Sequence, residues 1–283
     1  MRFDLLIQRW ARRLPAYAVL VACAAIVLVP LYATIVDSLH PISEFLNNPP
    51  PSLWPRQPQW ANYFSHGGAA GAGTPLKRYL FNSVVVSSII TLGQIVTSVL
   101  AAYAFAYLRF PGRNVLFALF LATMMVPLEV AIIPNFQTIQ RLHWTDSYQG
   151  LVAPFLATGF GTFLLRQYFL TIPSELRDAA EMDGYGHFRF LTRIVVPLSL
   201  GAIATLAIFA FIQAWNQYLW PLLVTNDPHM RTVQIGIGSE TQQLDKINIA
   251  FASTIVSVIP MLLLVAAFQR VLVRGIFGGA LKG

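Results

Sequence analysis

The chain has 283 residues, of which 56% are hydrophobic and only 11% charged, with a net charge of +7 and one cysteine. Soluble domains carry about a quarter charged residues, so this composition excludes an ordinary water-soluble fold. Cys23 alone allows neither an intrachain disulfide nor a cysteine metal cluster, and the basic residues flank apolar runs without forming a nucleic-acid motif.

The first apolar run follows Arg9, Arg12 and Arg13. Leu20-Val21-Ala22-Cys23 fits a lipoprotein cleavage pattern. The run continues past Cys23 to Ile35, however, so a first span over about 16–36 is predicted. Residues 37–81 are rich in Pro and Gly, with Pro49-Pro50-Pro51 and the stretch Gly67 to Gly73. That stretch lacks the Gly-Lys-Ser/Thr ending of a phosphate loop.

The second span, about 82–106, opens on Asn82-Ser83. Gln94 and Ser98 are four residues apart and share a face. Such polar groups glue helices together, and Gln94 is also a candidate contact on a solute path. The third span, about 115–135, contains Pro127 and Pro134, each expected to kink it. Glu129 is the only acid in the six predicted spans. It either faces a solute path or snorkels, lies at an interface or pairs with a neighbouring subunit.

The fourth span covers about 149–169, the fifth about 196–216 and the sixth about 249–269. Trp215, Tyr218 and Trp220 suit an interfacial aromatic belt, while Asn216 and Gln217 between them are candidate solute contacts, with Trp215 beside them. With the N-terminus inside, thirteen of the 19 Lys and Arg residues fall on the cytoplasmic side and six outside. The positive-inside rule therefore places both termini in the cytoplasm. The expected fold is all-α and integral to the membrane, one transmembrane domain over 1–283 with six helices.

The loop over 171–195 is the most informative segment. Ser174 can cap a helix, Glu175 and Asp178 suit its N-terminal dipole, and Gly184 can end it with positive φ. A second short helix, Tyr185 to Arg193, would lead into span five. Ala179 and Ala180 are small enough for another protein to approach closely. The residues alone leave a docking surface and a merely solvated amphipathic loop equally open.

Asp178-Ala179-Ala180, then Gly184 after three residues, then Ile194 and Pro197, resemble the EAA loop of ABC importer permeases. Asp178 departs from the usual Glu, keeping charge but shortening reach. The resemblance implies that this loop seats in a cleft of an ATP-binding subunit, with Glu175, Asp178, Ala179, Ala180, Asp183, Gly184, His187, Arg189 and Pro197 as its coupling residues. It extends over nearly the whole chain to the carbohydrate-type permeases that include the maltose system. Asn82-Ser83, Leu164 to Phe169, Trp215 to Pro221, Gln269-Arg270 and Val273-Arg274-Gly275 carry it.

Val126-Pro127-Leu128-Glu129-Val130, Ile133-Pro134 and Trp215 to Val224 resemble a narrower branch. That branch takes up sn-glycerol-3-phosphate and glycerophosphodiesters such as glycerophosphocholine. The alternative is a di- or oligosaccharide importer of the maltose or trehalose type. On the glycerophosphate reading Glu129 would repel phosphate and instead hold an arginine, a hydroxyl or a choline-like cation.

The implied partners are a second related permease, two ATP-binding subunits that carry ATP and Mg, an extracytoplasmic solute-binding protein and the bilayer of a bacterial inner membrane. No catalytic residue, bound cofactor or metal is expected on this chain, which lacks a Walker A loop. A self-sufficient secondary transporter or channel would need ionisable residues along its spans, and Glu129 stands alone there. No motif supports an intramembrane enzyme.

Overall fold

The computed structural model describes residues 2–47, 51–65, 68, 69 and 75–277. For 2–14, Leu128, Leu244 and 268–277 only the backbone is described. Pro49-Pro50, most of the Gly67 to Gly73 stretch and Lys282 lie outside the described residues. Every regular element among the described residues is helical.

Three helices are long and apolar enough to cross a membrane: Pro15–Asp37, Leu76–Tyr107 and Ile247–Ala267. Three helix pairs are bent by 97°, 47° and 78°, and each pair counted as one broken span raises the number to six. The breaks have local causes. Pro127 adopts extended backbone (ψ 137°) between the Arg113–Met125 and Leu128–Arg141 stretches. Pro134 sits inside the helix Leu128–Arg141. Pro154 lies in a short 3-10 turn, Ala153–Phe155, before the chain restarts as Gly159–Phe169. Pro197 has no N–H to donate; the preceding Leu191–Val195 turn widens to π spacing and the helix bends at Ser199.

The chain forms two compact units, 1–74 with 237–257, and 75–236 with 258–283. In the first, Asn62 donates to the carbonyls of Ser38 (2.8 Å) and His40 (3.0 Å) and accepts from Asn248 (3.0 Å). Phe45 stacks on Phe251 there. These contacts gather an otherwise irregular segment around one buried amide.

The second unit is organised by the helix Leu76–Tyr107, about 48 Å long at 1.5 Å per residue. Its buried stripe reads Tyr79, Asn82, Val86, Ile90, Ser98, Ala102, with helical spacing. The other face exposes Phe81, Leu92, Val96 and Leu100 at 52–63%. A buried face that holds Asn82, Ser83, Ser87, Thr91 and Ser98, set against large apolar groups outside, is the reverse of a soluble helix, and it suits lipid. The stripe packs on Gly159–Phe169 and Leu200–Trp215. Gly161 permits that approach: a Cβ there would collide with the Ser98 hydroxyl and come within 2.9 Å of Thr158 Cγ2.

Candidate functional site

The helix Ser174–Met182 begins after Pro173, whose ψ of 136° places it in the cap position. Ser174 is therefore the first helical residue and not the cap predicted for it, and no side chain caps this end. Glu175 lies in the first turn, where its charge meets the positive end of the helix dipole. The other end closes as expected. Gly184 has φ +76°, the Gly184 N–H donates to Glu181 O at 3.1 Å and the Tyr185 N–H to Ala180 O at 2.8 Å. This pair of bonds is a Schellman closure. The next helix is shorter than predicted, His187–Phe190, because the chain then enters the π turn before Pro197.

One side of this elbow is seated. Ala180, Phe190, Leu191 and Val195 are buried with Val99, Ala102, Tyr103, Leu165, Phe169 and Leu206. Tyr103 shares a 3.0 Å hydrogen bond with His187 Nδ1, and Tyr107 donates to Phe169 O at 2.8 Å. Phe190 meets Tyr107 edge-on, with centroids 5.4 Å apart. The Arg189 guanidinium lies 4.1 Å over the Tyr185 ring. A pocket of about 190 Å³ remains between Tyr103, Arg177, Glu181, Tyr185 and His187. The loop is thus a rigid elbow fixed to the end of the Leu76–Tyr107 helix.

The other side is bare. Glu175, Asp178, Ala179, Asp183 and Pro197 are exposed, as are Leu176, Met182 at 85% and Phe188 at 74%. Ala180, predicted to lie on the contact surface beside Ala179, faces inward at 3% exposure. Apolar groups this exposed, interleaved with carboxylates, are the kind of patch that marks an interaction site. Met182, Phe188, Tyr103 and Tyr107 were not singled out in the sequence. The tyrosines lie in a long apolar run, where no local pattern marks them.

The predicted path residues lie on three different helices or their ends. Glu129 is exposed in the first turn of Leu128–Arg141, just after the Pro127 break. Asn216 is exposed and ends the helix Leu200–Trp215, and Gln217 is half-buried after it. Gln94 is committed to its own fold, donating to Phe155 O at 2.9 Å while Thr97 donates to Leu156 O at 2.9 Å. Both carbonyls lie at the break between Tyr148–Phe155 and Gly159–Phe169, where helical partners are missing and apolar surroundings make bare carbonyls costly.

Gln94→Leu is therefore expected to destabilise by about 1–2 kcal/mol and Gln94→Leu with Thr97→Val by about 3. Thermal unfolding in detergent checks this. An altered solute dependence with unchanged unfolding would instead make Gln94 a solute contact.

The aromatic-belt expectation fails for two of its three residues. Trp215 and Trp220 are each 3% exposed, and only Tyr218 is exposed, at 42%. Trp215 stacks on Phe211, and Trp220 donates to Gly150 O at 3.1 Å with its ring edge-on to Phe155. The helix ends at Trp215, a short helix Leu219–Val224 follows, and both indole rings are buried.

Among the described residues no three His, Cys, Asp or Glu side chains gather as a metal site.

Residues 94–278 match the model of the binding-protein-dependent transport system inner membrane component family. The sn-glycerol-3-phosphate transport system permease protein UgpE of Yersinia enterocolitica is 41% identical over 270 residues, covering 92% of this chain and 94% of the relative. UgpE of Agrobacterium fabrum is 41% identical over 93% of this chain and 95% of its own, and UgpE of Brucella abortus 40% over 95% and 97%.

In fold, the chain resembles a bacterial ABC transporter involved in the import of the acidic polysaccharide alginate, with TM-score 0.78, 20% identity and coverage of 91% and 95%. A second such structure is a bacterial alginate ABC transporter in complex with alginate pentasaccharide-bound periplasmic protein. Its TM-score is 0.65 at 15% identity, over 90% of this chain and 92% of that one. With more than half of its length on the family model and near-complete alignment to these relatives, the chain belongs to the inner membrane components of binding-protein-dependent transport systems.

Proposed function

We propose that this chain is the permease subunit of an ATP-driven importer of sn-glycerol-3-phosphate or glycerophosphodiesters such as glycerophosphocholine. The observation that carries the reading is its identity of about 40%, over nearly full length, to permeases named for sn-glycerol-3-phosphate transport. In this reading 1–283 is one transmembrane domain. The three long helices and three bent pairs supply six spans, with both termini cytoplasmic as the positive-inside count favours. A second permease completes the path, two ATP-binding subunits carry ATP and Mg, and an extracytoplasmic protein delivers solute. The chain itself performs no catalysis.

Coupling runs through the 171–195 elbow. Glu175, Asp178, Ala179 and Asp183 face the ATP-binding subunit, with Met182 and Phe188 supplying the apolar contact. Gly184, His187, Arg189 and Pro197 hold the elbow's shape, while Ala180 seats it on Tyr103. Closure of the nucleotide site would push this rigid element and shift the balance between inward- and outward-open states. Glu129, Asn216 and Gln217 line the path, and Gln94 and Trp215 support it from behind. Glu129 repels a phosphate directly, so it acts on a hydroxyl, an arginine or a choline-like cation.

The test is ATP hydrolysis by the assembled complex with its binding protein, stimulated by glycerol-3-phosphate, glycerophosphocholine, maltose or trehalose. Stimulation of roughly tenfold by a glycerophosphate and none by sugars is expected. Stimulation by sugars alone replaces the solute but keeps the architecture. Solute movement without ATP overturns the importer reading in favour of a secondary transporter or channel.

A further inference from the structure

Two arginines, Arg109 and Arg113, line a cavity where Leu76–Tyr107 hands over to Arg113–Ala122, and a third, Arg166, lies beside Phe105 and Phe117. Among the described residues, 109–115 line an open cavity of about 670 Å³. Arg109 is exposed and Arg113 half-buried, with its Nη1 donating to Leu108 O at 3.3 Å. Arg166 is held in place by a 3.2 Å bond from Nε to Phe105 O, with its guanidinium 4.0 Å over the Phe117 ring. It lies near enough to Arg113 for the two charges to interact.

Among the described residues none of the three has a carboxylate within ion-pair distance. The two like charges lining one cavity repel one another, and an anion between them relieves that repulsion. Guanidinium groups suit phosphate oxygens in particular.

The neighbouring surface is apolar. Val115, Leu116 and Leu119 are 64%, 50% and 59% exposed. They continue from the cavity along the helix that starts there. A basic cavity alone fits any phosphate, whether free or in a headgroup. A basic cavity running into an exposed apolar face at the end of a membrane-crossing helix fits a phosphate that carries acyl chains. We infer that this cavity binds the headgroup phosphate of an anionic phospholipid, clamped by Arg109 and Arg113 with Arg166 as a third charge, its acyl chain lying on Val115, Leu116 and Leu119. The inference holds for either orientation of the chain and for any transported solute.

Native mass spectrometry of the purified complex, titrated with phosphatidylglycerol or phosphatidylcholine, tests it. The wild-type complex is expected to retain phosphatidylglycerol at concentrations about tenfold lower. Arg109→Gln with Arg113→Gln should weaken that retention at least fivefold and leave phosphatidylcholine unchanged, while the two Arg→Lys changes restore most of it. Unchanged retention in the glutamine variant overturns the site, and displacement of the lipid by millimolar inorganic phosphate makes it a free-anion site.

If the glutamine variant does not assemble, a photoreactive group on Asn114→Cys, in a Cys23→Ala background, gives the answer in an otherwise wild-type cavity. Capture of phosphatidylglycerol over phosphatidylcholine supports the inference. Capture of another subunit, or of both lipids equally, overturns it.

Discussion

Gly184→Pro is expected to lower solute-stimulated ATP hydrolysis by the assembled complex more than tenfold while the membrane-embedded part of the chain stays folded. Three local requirements fail together. Proline cannot adopt the φ of +76° found at this position. It has no N–H to replace the bond from Gly184 to Glu181 O. It also drives the preceding residue away from α-like backbone, yet Asp183 has φ −76° and ψ 3°.

A smaller change separates strain from crowding. A Cβ on Gly184 meets nothing within 4 Å, so Gly184→Ala carries only the left-handed backbone penalty of about 1–2 kcal/mol. Gly184→Asn, which tolerates that region better, should retain most of the stimulation. The ranking Gly, Asn, Ala, Pro in stimulated hydrolysis, with basal solute-free hydrolysis used as the control, is the expected result. A proline variant that still responds fully to solute would show that the elbow's shape does not transmit the nucleotide signal.

The positive φ of Gly184 was legible because glycine is the residue type that ends a helix in this conformation. The platform beneath the elbow was not. Tyr103 and Tyr107 lie in an uninterrupted apolar helix, and their role comes from contacts with His187 and Phe169, 84 and 62 residues away. The broken spans were half-legible. Pro127 announced an interruption and Pro134 lies within its helix, while the breaks near Pro154 and Pro197 went unremarked. Trp215 and Trp220 show the limit of reading span ends by residue type. An aromatic at a helix end faces lipid only if nothing packs over it there, and here Phe211 and Phe155 do. Three long helices are evident from length and apolarity, but whether each bent pair is one crossing depends on tertiary geometry that periodicity does not encode.

The Leu76–Tyr107 helix carries both ends of the proposed mechanism, which gives Asn82 an importance beyond its neighbourhood. Tyr103 holds the coupling elbow, and about 21 residues away, near 31 Å at helical rise, Asn82 holds the opposite end. Asn82 is fully buried. Its amide donates to the carbonyls of His229 (2.8 Å) and Arg231 (2.9 Å), and its oxygen accepts from the Tyr148 hydroxyl (2.7 Å). Ser83 next to it accepts from the Val233 N–H at 2.9 Å, and Arg78 donates to His229 O at 3.1 Å. One side chain thus ties the 229–233 segment and the start of Tyr148–Val152 to the same rod.

Asn82→Leu removes three bonds and leaves the Tyr148 hydroxyl without its acceptor and the Arg231 carbonyl without its amide donor, while the His229 carbonyl keeps the bond from Arg78. At about 1 kcal/mol per bond plus the desolvation of what remains, the expected loss is roughly 3–5 kcal/mol, on the order of 10 °C in the unfolding midpoint. Asn82→Asp keeps the acceptor for Tyr148 but sets a carboxylate against two carbonyl oxygens, and should be no better. Tyr148→Phe alone should cost about 1 kcal/mol and add almost nothing on the Asn82→Leu background, since the bond it removes is already gone. Thermal unfolding of the four variants in detergent decides the matter. An Asn82→Leu midpoint close to wild type would mean that the 229–233 segment is held by its apolar contacts, with the amide network only following.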